Sequence, residues 1–441
     1  MNSPNATRIE PLARPLDGAA VVPGDKSISH RAIMFAAMAQ GTSRLTGVLD
    51  SADVRSTIAA MSALGANVAL ERQIDGSLAG GITGWGSNGP KQPSEPIDCG
   101  NSGTTARLLM GILAPWNIRV EITGDDSLKK RPMRRIIAPL MKMGVCFEPE
   151  ACETLPATIM GTPNLKAITY DSPMASAQLK TAVLLAGLGA KGETVINEPA
   201  ISRNHTELML PEFGVKAGMA FRRAWVEGPV TLQANEIDVP GDPSSAAFLI
   251  CATLLKPGSS IQIENVSLNP GRVGFIRTLE RMGASIEVRY LTAEGKEPIG
   301  IIEAAYTPNL RGCEIPSQHI ASEIDEIPVL ALVAAHASGI TVFRGVNELT
   351  KKESNRLEAI IEGLELMGVN AWAENDNLYI EGQPDLEIPK GLVFDSRKDH
   401  RLAMTWALAG LCSRNAVEII DFDCISVSFP RFLDVLRGLA Q

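Results

Sequence analysis

Cationic and hydroxyl side chains are concentrated at the starts of Ala- and Leu-rich apolar runs. The segment GDKSISHR places Lys26, Ser27 and Arg31 at the start of one such run, and Ser27 and Arg31 are four residues apart. That spacing puts both side chains on one face of a helix. A helix N-terminus presents unpaired N–H groups and a partial positive charge, so this pattern predicts a binding site for an anion.

Similar side chains recur at the starts of further apolar runs and in the turns between helices. The guanidinium group of Arg can donate two parallel hydrogen bonds to the oxygens of a carboxylate or a phosphate. A single Lys or Arg is usually a solvated surface charge, but recurrence at equivalent positions predicts that these groups converge in space. They are Asn101, Gly103, Thr104 and Arg107 in GNSGTTAR, Ser176 and Gln178 in MASAQLK, His400 and Arg401 in KDHR, and Arg131, Arg203, Lys352, Glu353 and Arg356 in the turns.

The elements that carry these residues read as six copies of one α/β unit, although chance similarity among Ala-rich helices is the alternative. Each copy has an apolar helix, a β-branched strand, a turn and an amphipathic helix. The copies start roughly 70 to 80 residues apart, which is longer than the usual solenoid period of about 20 to 50. Most of the second helices end in Gly, as in SALGANV and MKMGVCF, which predicts a left-handed residue after each helix.

The tetrapeptide VPGD occurs at 22–25 and again at 239–242, where no cation follows it. Six units divide as three plus three, so the two copies of VPGD predict the two crossings between the halves. One domain is expected to span 24–240, and the other to combine 1–23, including a strand over Thr7 to Leu12, with 241–441.

Composition excludes several classes of protein. The chain has 441 residues and a formal net charge of −9, which favours two or three domains and disfavours nucleic acid as a partner. Apolar stretches stop short of the roughly 20 residues needed to cross a bilayer. The seven cysteines lack CxxC spacing, so neither a zinc site nor a disulfide framework is expected, and no metal. The N-terminus has no signal-peptide pattern, and a cytoplasmic location is predicted.

The motifs DKSxSHR, GNSGTTAR, SAQ, KESxR and DHR, in this order, resemble the 3-phosphoshikimate 1-carboxyvinyltransferase family of enolpyruvyl transferases over nearly the whole chain. The resemblance implies an α/β fold of two similar domains, each of three βαβαββ-type repeats in an inside-out α/β barrel, joined by a two-strand hinge. It also implies transfer of the enolpyruvyl group of phosphoenolpyruvate to the 5-hydroxyl of shikimate 3-phosphate, by addition and elimination with release of phosphate. The pathway would be that of aromatic amino acid biosynthesis. No cofactor is implied, and a monomer is expected.

The resemblance also implies roles for individual residues. Asp325 in IDEIP would be the base for the 5-hydroxyl, although a buried structural carboxylate is the alternative because Glu326 is its neighbour. Glu353 would donate the proton to the methylene carbon, and Lys26 and Lys352 would also act in catalysis. The residues implied for shikimate 3-phosphate are Lys26, Ser27, Arg31, Ser176, Ala177, Gln178, Arg203, Asp325 and Lys352. Those implied for phosphoenolpyruvate are Lys26, Asn101, Gly103, Arg131, Gln178, Arg356 and Arg401, supported by Thr104, Arg107 and His400.

Three positions depart from the common family pattern. Asn355 replaces an Asp of KESDR and is interpreted as a helix-surface change. Val427 replaces a Lys that would contact phosphoenolpyruvate, and Leu108 replaces a Pro. The last two resemble the branch with low sensitivity to glyphosate, whereas Gly103 is typical of the sensitive branch, so sensitivity stays open.

Two other functions compete with this interpretation. The sister enolpyruvyl transferase that acts on UDP-N-acetylglucosamine usually has a reactive Cys in the loop that corresponds to KKRP, which contains none here. A non-catalytic anion-binding module would gain nothing from carboxylates such as Asp325 and Glu353 among its cations.

Overall fold

The computed structural model describes residues 5–292 and 295–441. The chain divides into two compact units. The first, here the 24–240 unit, also includes 295–297; the second, here the 241–441 unit, also includes the chain up to residue 23. The boundaries therefore fall between Pro and Gly of each VPGD segment. Each unit has its own apolar core.

The strands are short, and several of them alternate between more and less buried residues. They are β1 (Ala6–Ile9), β2 (Asp17–Val21), β3 (Thr42–Val48), β4 (Asn67–Arg72), β5 (Leu78–Thr83), β6 (Ile97–Asp98), β7 (Arg119–Thr123), β8 (Cys146–Glu148), β9 (Ala157–Met160), β10 (Thr169–Asp171), β11 (Gly192–Asn197), β12 (Ala217–Ala220), β13 (Arg223–Gly228), β14 (Glu236–Asp238), β15 (Ser260–Ser267), β16 (Ser285–Tyr290), β17 (Ile299–Ala305), β18 (Glu314–Ile315), β19 (Gly339–Phe343), β20 (Asn370–Glu374), β21 (Asn377–Gly382), β22 (Val393–Asp395) and β23 (Val417–Ile420).

The helices alternate with these strands. They are α1 (Lys26–Met38), α2 (Ala52–Ala63), α3 (Gly103–Leu113), α4 (Arg134–Met143), α5 (Ala177–Gly187), α6 (His205–Met209), α7 (Pro243–Leu255), α8 (Gly274–Arg281), α9 (Ser317–Ile320), α10 (Ile327–Ala335), α11 (Arg356–Leu366), α12 (His400–Leu411) and α13 (Phe432–Leu439). None of the helices within 5–292 and 295–441 is long and apolar enough to cross a membrane.

One local topology recurs in five of the six sheets that the described strands form. An edge strand runs parallel to the second strand, the second pairs antiparallel with the third, and the third pairs antiparallel with the fourth. The order β6-β7-β9-β8 is one example. The sixth sheet, β1-β23-β22, has three strands, and the N-terminal strand supplies one of them. This recurrence confirms the α/β repeats expected from the sequence.

The first helix of each repeat is enclosed by its unit. In α1, α7 and α12 nearly every residue is buried, which explains why these segments are uniformly apolar rather than amphipathic. The N-terminal residues of α1 and α12 are the exception to this apolar composition, because they include polar side chains that the sequence analysis selected.

The glycines that end the second helices adopt the left-handed conformation that the sequence predicts. Gly65, Gly144, Gly214, Gly283 and Gly368 have φ between 79° and 108°. A Cβ is unfavourable there. The prediction of these helix ends is confirmed.

Each VPGD segment connects a strand of one unit to a helix of the other. β2 pairs with β15, and α1 follows it in the chain; β14 pairs with β3, and α7 follows it. The Gly is required by close packing, since a Cβ on Gly24 would lie 2.0 Å from the carbonyl oxygen of Gly47. The Asp that follows caps α1 or α7. VPGD recurs because both crossings need a connection from a strand to a helix, a Gly that allows close packing, and an Asp that caps the helix.

Candidate active site

Arg31 projects from the first turns of α1 and is almost completely buried. Its Nε donates to Thr206 Oγ1 at 2.8 Å, its Nη2 to Thr181 Oγ1 at 2.8 Å, and its Nη1 to the carbonyl oxygen of Ser27 at 3.0 Å. Burial lowers the pKa of Arg31 to about 10, against the attraction of Glu207. The guanidinium is therefore held in one orientation at the start of the helix.

Lys26 is the first residue of α1, and its Nζ lies 3.3 Å from Asp53 Oδ2. Asp53 stands in the first turn of α2, which Ser51 caps. The sequence analysis missed Asp53, although an acid beside a capping Ser was a visible signal. This ion pair gives Lys26 a defined position rather than a freely solvated one.

The start of α3 and the turn before α4 bring a second group of predicted residues together. Arg131 Nη2 donates to Asn101 Oδ1 at 2.6 Å. Gln178, from the start of α5, accepts from Arg107 Nη1 at 2.9 Å and donates to Thr104 Oγ1 at 3.0 Å. Side chains from two repeats thus meet within the 24–240 unit.

Gly103 is the first residue of α3 and packs against these arginines. A Cβ built there would lie 2.7 Å from Arg107 Nη1 and 3.4 Å from Arg131 Nη1. Gly103 is not among the glycines with positive φ. The constraint on this residue is therefore space rather than backbone conformation.

The carboxylate of Glu198 accepts hydrogen bonds at the start of α5. Ser176 caps α5, and its backbone N–H donates to Glu198 Oε1 at 3.1 Å. Ser202 Oγ donates to the same carboxylate at 2.7 Å. Ala177 begins the helix. Arg203 follows Ser202 and lies near enough to Arg31 for its charge to add to the effect of burial on the pKa of Arg31.

Lys180 completes this arrangement from within α5. Its Nζ lies 2.8 Å from both Glu198 Oε2 and Glu207 Oε1, and all three side chains are buried. The sequence analysis did not select Lys180, although a Lys inside an apolar helix needs a charged partner when buried. The triad ties α5 and α6 to the loop that carries Arg203.

Arg356 is the centre of the 241–441 unit's polar cluster. It donates to Glu353 Oε2 at 2.6 Å, to Asp399 Oδ2 at 2.7 Å and to Asp325 Oδ1 at 3.2 Å. Burial by itself would lower the pKa of Arg356, but the attraction of Asp399, Glu353 and Asp325 outweighs it and raises that pKa. The guanidinium stays charged and holds three carboxylates in fixed positions.

Asp325 and Glu326 lie in different environments. The carboxylate of Asp325 is partly exposed, and Lys352 Nζ and Arg356 Nη1 each lie 3.2 Å from its Oδ1. Arg401 Nη1 donates to the Asp325 carbonyl oxygen at 2.9 Å. Glu326 is 1% exposed. Of the two neighbours, Asp325 is the one whose carboxylate is partly exposed and contacts Lys352 and Arg356.

Asp399 and Asn355 act as helix caps. Asp399 caps α12 through the Arg401 N–H, and His400 is the buried first residue of that helix. Asn355 caps α11, and its side chain accepts from Glu358 N at 3.4 Å. Asn355 is exposed at the start of that helix, which agrees with its interpretation as a helix-surface change. Asn and Asp are both good capping residues, which explains why either is tolerated.

The two remaining departures have different surroundings. Leu108 is buried in α3, where it packs as a core residue. Val427 ends a 3₁₀ helix over Phe422–Val427 and is half-buried. In the described part of the chain, no group of three or more His, Cys, Asp or Glu side chains is arranged to hold a metal ion.

The predicted residues thus fall into two sets, each within one unit. The 24–240 set contains Lys26, Ser27, Arg31, Asn101, Gly103, Thr104, Arg107, Arg131, Ser176, Ala177, Gln178 and Arg203. The 241–441 set contains Asp325, Lys352, Glu353, Arg356, His400 and Arg401.

Comparison with known proteins decides between the competing functions. The family model for EPSP synthase (3-phosphoshikimate 1-carboxyvinyltransferase) matches residues 12–436. The chain belongs to the EPSP synthase family. Curated relatives with the name 3-phosphoshikimate 1-carboxyvinyltransferase include one from Jannaschia sp., 43% identical over 96% of this chain and 94% of the relative. Another, from Desulforamulus reducens, is 44% identical over 97% of this chain and 98% of the relative.

Solved structures agree with this family assignment. The EPSP synthase of Acinetobacter baumannii superposes with a TM-score of 0.86 at 38% identity, covering 99% of this chain and 98% of that one. The enolpyruvyl transferase NikO from Streptomyces tendae gives a TM-score of 0.77 at 18% identity over 99% of this chain and 97% of that one, which shows the shared fold alone. The α/β enolpyruvyl transferase fold expected from the sequence is confirmed, and so is the EPSP synthase family.

Proposed function

We propose that the two sets of residues carry out the reaction of the EPSP synthase family, transfer of the enolpyruvyl group of phosphoenolpyruvate to the 5-hydroxyl of shikimate 3-phosphate. The observation that best supports it is the ion cluster around Arg356. There, Asp325 and Glu353, the proposed base and acid, share the Arg356 guanidinium at 3.2 and 2.6 Å. A cation that binds an anionic substrate thereby also positions both proton-transfer groups.

The proposed division of roles follows the chemistry of the side chains. Shikimate 3-phosphate carries a phosphate and a carboxylate, which suit cations and helix N-termini. Its ligands would be Lys26, Ser27, Arg31, Ser176, Ala177, Gln178, Arg203, Asp325 and Lys352. Phosphoenolpyruvate would be bound by Lys26, Asn101, Gly103, Arg131, Gln178, Arg356 and Arg401, with Thr104, Arg107 and His400 in support.

The reaction then proceeds in two proposed steps. Asp325 removes the proton of the 5-hydroxyl while that oxygen attacks C2 of phosphoenolpyruvate, and Glu353 protonates C3, which becomes a methyl group. In the second step a methyl proton returns to Glu353 and the C2–O bond to phosphate breaks. The double bond forms again, phosphate leaves and takes up a proton, and Asp325 gives up the proton that it removed in the first step. General acid–base groups near the reacting atoms contribute about 10² to 10⁴ in rate each.

A phosphate-release assay tests the assignment. Purified protein with phosphoenolpyruvate should release phosphate when shikimate 3-phosphate is supplied and should not when UDP-N-acetylglucosamine replaces it. Asp325→Asn should abolish most of this release while the variant remains folded. Undiminished release by Asp325→Asn would reject Asp325 as the base.

A monomeric state and a cytoplasmic location remain proposals. Light scattering on the purified protein tests the first, and fractionation of the source cell tests the second.

A further inference from the structure

Glu326 lies beside the proposed base but has no exposed surface with which to contact a substrate. Its side chain is 1% exposed. Oε1 accepts a hydrogen bond from Ser244 Oγ and a second from Arg401 Nη1 at 3.3 Å. A buried carboxylate is costly unless it is paired and hydrogen-bonded, so both contacts are needed to keep it there.

Arg401 is held on several sides by this arrangement. Nη1 donates to Glu326 Oε1 and, at 2.9 Å, to the Asp325 carbonyl oxygen, while Nη2 lies 3.3 Å from Ser244 Oγ. An unrestrained Arg loses about 2 kcal/mol of rotamer free energy when it binds a ligand. The contacts to Glu326 and Ser244 remove that freedom in advance.

Ser244 has every hydrogen-bonding position of its hydroxyl in use. A serine hydroxyl has one donor and two acceptor positions. The donor is directed to Glu326, and the oxygen accepts from Arg272 Nη2 at 2.9 Å and from Arg401 Nη2 at 3.3 Å. The pattern fixes the direction of each bond, because neither arginine can accept.

The second VPGD segment anchors the far end of this chain of contacts. Asp242 Oδ1 accepts from Ser244 N at 2.8 Å and from Arg272 Nη2 at 2.9 Å. Arg272 is 2% exposed. Its guanidinium supplies the positive charge that the sequence VPGDPSS lacks. Arg272 lies 28 residues after Ser244 in the chain.

We propose that Glu326, with Ser244, is a positioning residue that holds the Arg401 guanidinium in its binding orientation and so sets the affinity for phosphoenolpyruvate. The inference rests on the proposed role of Arg401 in binding phosphoenolpyruvate. Glu326 does not touch the substrate in this scheme. The second VPGD segment, which carries no cation, contributes to the site by placing Ser244.

Steady-state kinetics of Glu326→Gln test the proposal on the full-length protein. Gln keeps the shape of the side chain but removes the charge that attracts Arg401. We expect KM for phosphoenolpyruvate to rise about tenfold, as the loss of a charge-assisted hydrogen bond implies. KM for shikimate 3-phosphate should stay within about twofold, since the effect acts through Arg401. Ser244→Ala should shift the same constant in the same direction.

Glu323→Gln is the matched control. Glu323 is also 1% exposed and lies three residues earlier, but within the described residues it has no hydrogen bond to Arg401 or Ser244. The same substitution there should leave both KM values unchanged. If Glu326→Gln lowered the melting temperature but left both KM values unchanged, or raised them equally, Glu326 would be only structural and the proposal would be wrong.

Arg401→Lys separates this proposal from the one on which it rests. An unchanged KM for phosphoenolpyruvate in Arg401→Lys would overturn the assignment of Arg401 and the positioning role with it. A raised KM in Arg401→Lys with a normal KM in Glu326→Gln would overturn the positioning role alone. If both variants raise KM, the double variant should be less impaired than the product of the two effects, because both act on one guanidinium.

Discussion

Glu353 is partly exposed, and its carboxylate accepts a 2.6 Å hydrogen bond from Arg356. Glu353→Gln preserves the shape and the hydrogen bond but cannot transfer a proton. We expect kcat to fall on the order of a hundredfold or more, the usual contribution of a positioned acid, while both KM values change little. Stopped-flow or coupled phosphate assays would measure this.

Glu358→Gln provides a control for Glu353, because Glu358 is an exposed carboxylate in the first turn of α11 that pairs with Arg397. It should retain full turnover. Near-normal kcat in Glu353→Gln at saturating substrate, with weakened binding, would instead make Glu353 a binding group.

Gly103→Ala tests the crowding at the start of α3. The new methyl group would lie 2.7 Å from Arg107 Nη1, so the end of the Arg107 side chain must move. We expect the inhibition constant of glyphosate, which is slightly longer than phosphoenolpyruvate, to rise more than KM for phosphoenolpyruvate. KM for shikimate 3-phosphate should be nearly unchanged. Steady-state and inhibition kinetics would measure the three constants. An equal rise in the inhibition constant and in both KM values would show a general disturbance of the site.

At the scale of the element, the Lys180 triad joins α5, α6 and the loop after β11. Lys180→Met would leave Glu198 and Glu207 buried without their counter-charge. Breaking a buried ion pair on one side typically costs about 3 to 5 kcal/mol. We expect a lower urea midpoint for unfolding of this unit, and partial recovery in Lys180→Met with Glu207→Gln. A midpoint equal to that of the wild type would mean that water or rearrangement compensates the two carboxylates.

The turn before α10 contains a group that titrates near neutrality. Burial raises the pKa of Glu323 to about 7 from 4.5, against a hydrogen bond from Thr278; the charge of Glu326 adds to the rise, and Arg277 and Arg281 oppose it. The folded protein therefore holds a proton that the unfolded chain releases between pH 4.5 and 7. Across that window stability decreases as pH rises.

Glu323→Gln should remove this pH dependence. Relative to the wild type, the variant should gain stability as pH rises from about 5 to 8, by at most about 3 kcal/mol. Thermal melts at several pH values would show a growing difference in melting temperature. A difference that stays constant with pH would contradict the raised pKa.

At the scale of the whole molecule, the two units differ in chain continuity. The core of the 24–240 unit is formed entirely by residues between Ile28 and Val239. The core of the 241–441 unit also needs Ile9, Leu12, Leu16, Ala20 and Val22, and β1 and β2 complete two of its sheets. We expect a fragment of residues 24–240 to unfold cooperatively, whereas 241–441 alone should not fold.

Joining residue 23 to 241 should restore folding of the second unit. Asp242 N donates to the carbonyl oxygen of Pro23 at 2.8 Å, so a short glycine linker can connect the two segments. Circular dichroism and thermal melts of the three fragments test this. Cooperative melting of 241–441 without its N-terminal segment would contradict the role of β1 and β2.

The sequence by itself determined the repeated element order and the helix starts, and it supplied most of the residues that are proposed for the site. These are local properties. Hydrophobic period, capping residues such as Asp25 and Ser176, and helix-ending glycines act within a few residues of the chain. The motifs also determined the family, since their order and spacing are visible without any contact.

Tertiary structure alone decided which residues pair across long stretches of chain. Arg401 meets Ser244 across 157 residues, and Arg356 meets Asp399 across 43. No local pattern specifies such partners, because they depend on how the sheets pack and on which strand joins the edge of each sheet. For the same reason Glu326 could not be distinguished from Asp325 in the sequence. Burial distinguishes the two side chains, and burial is set by neighbours far away in the chain.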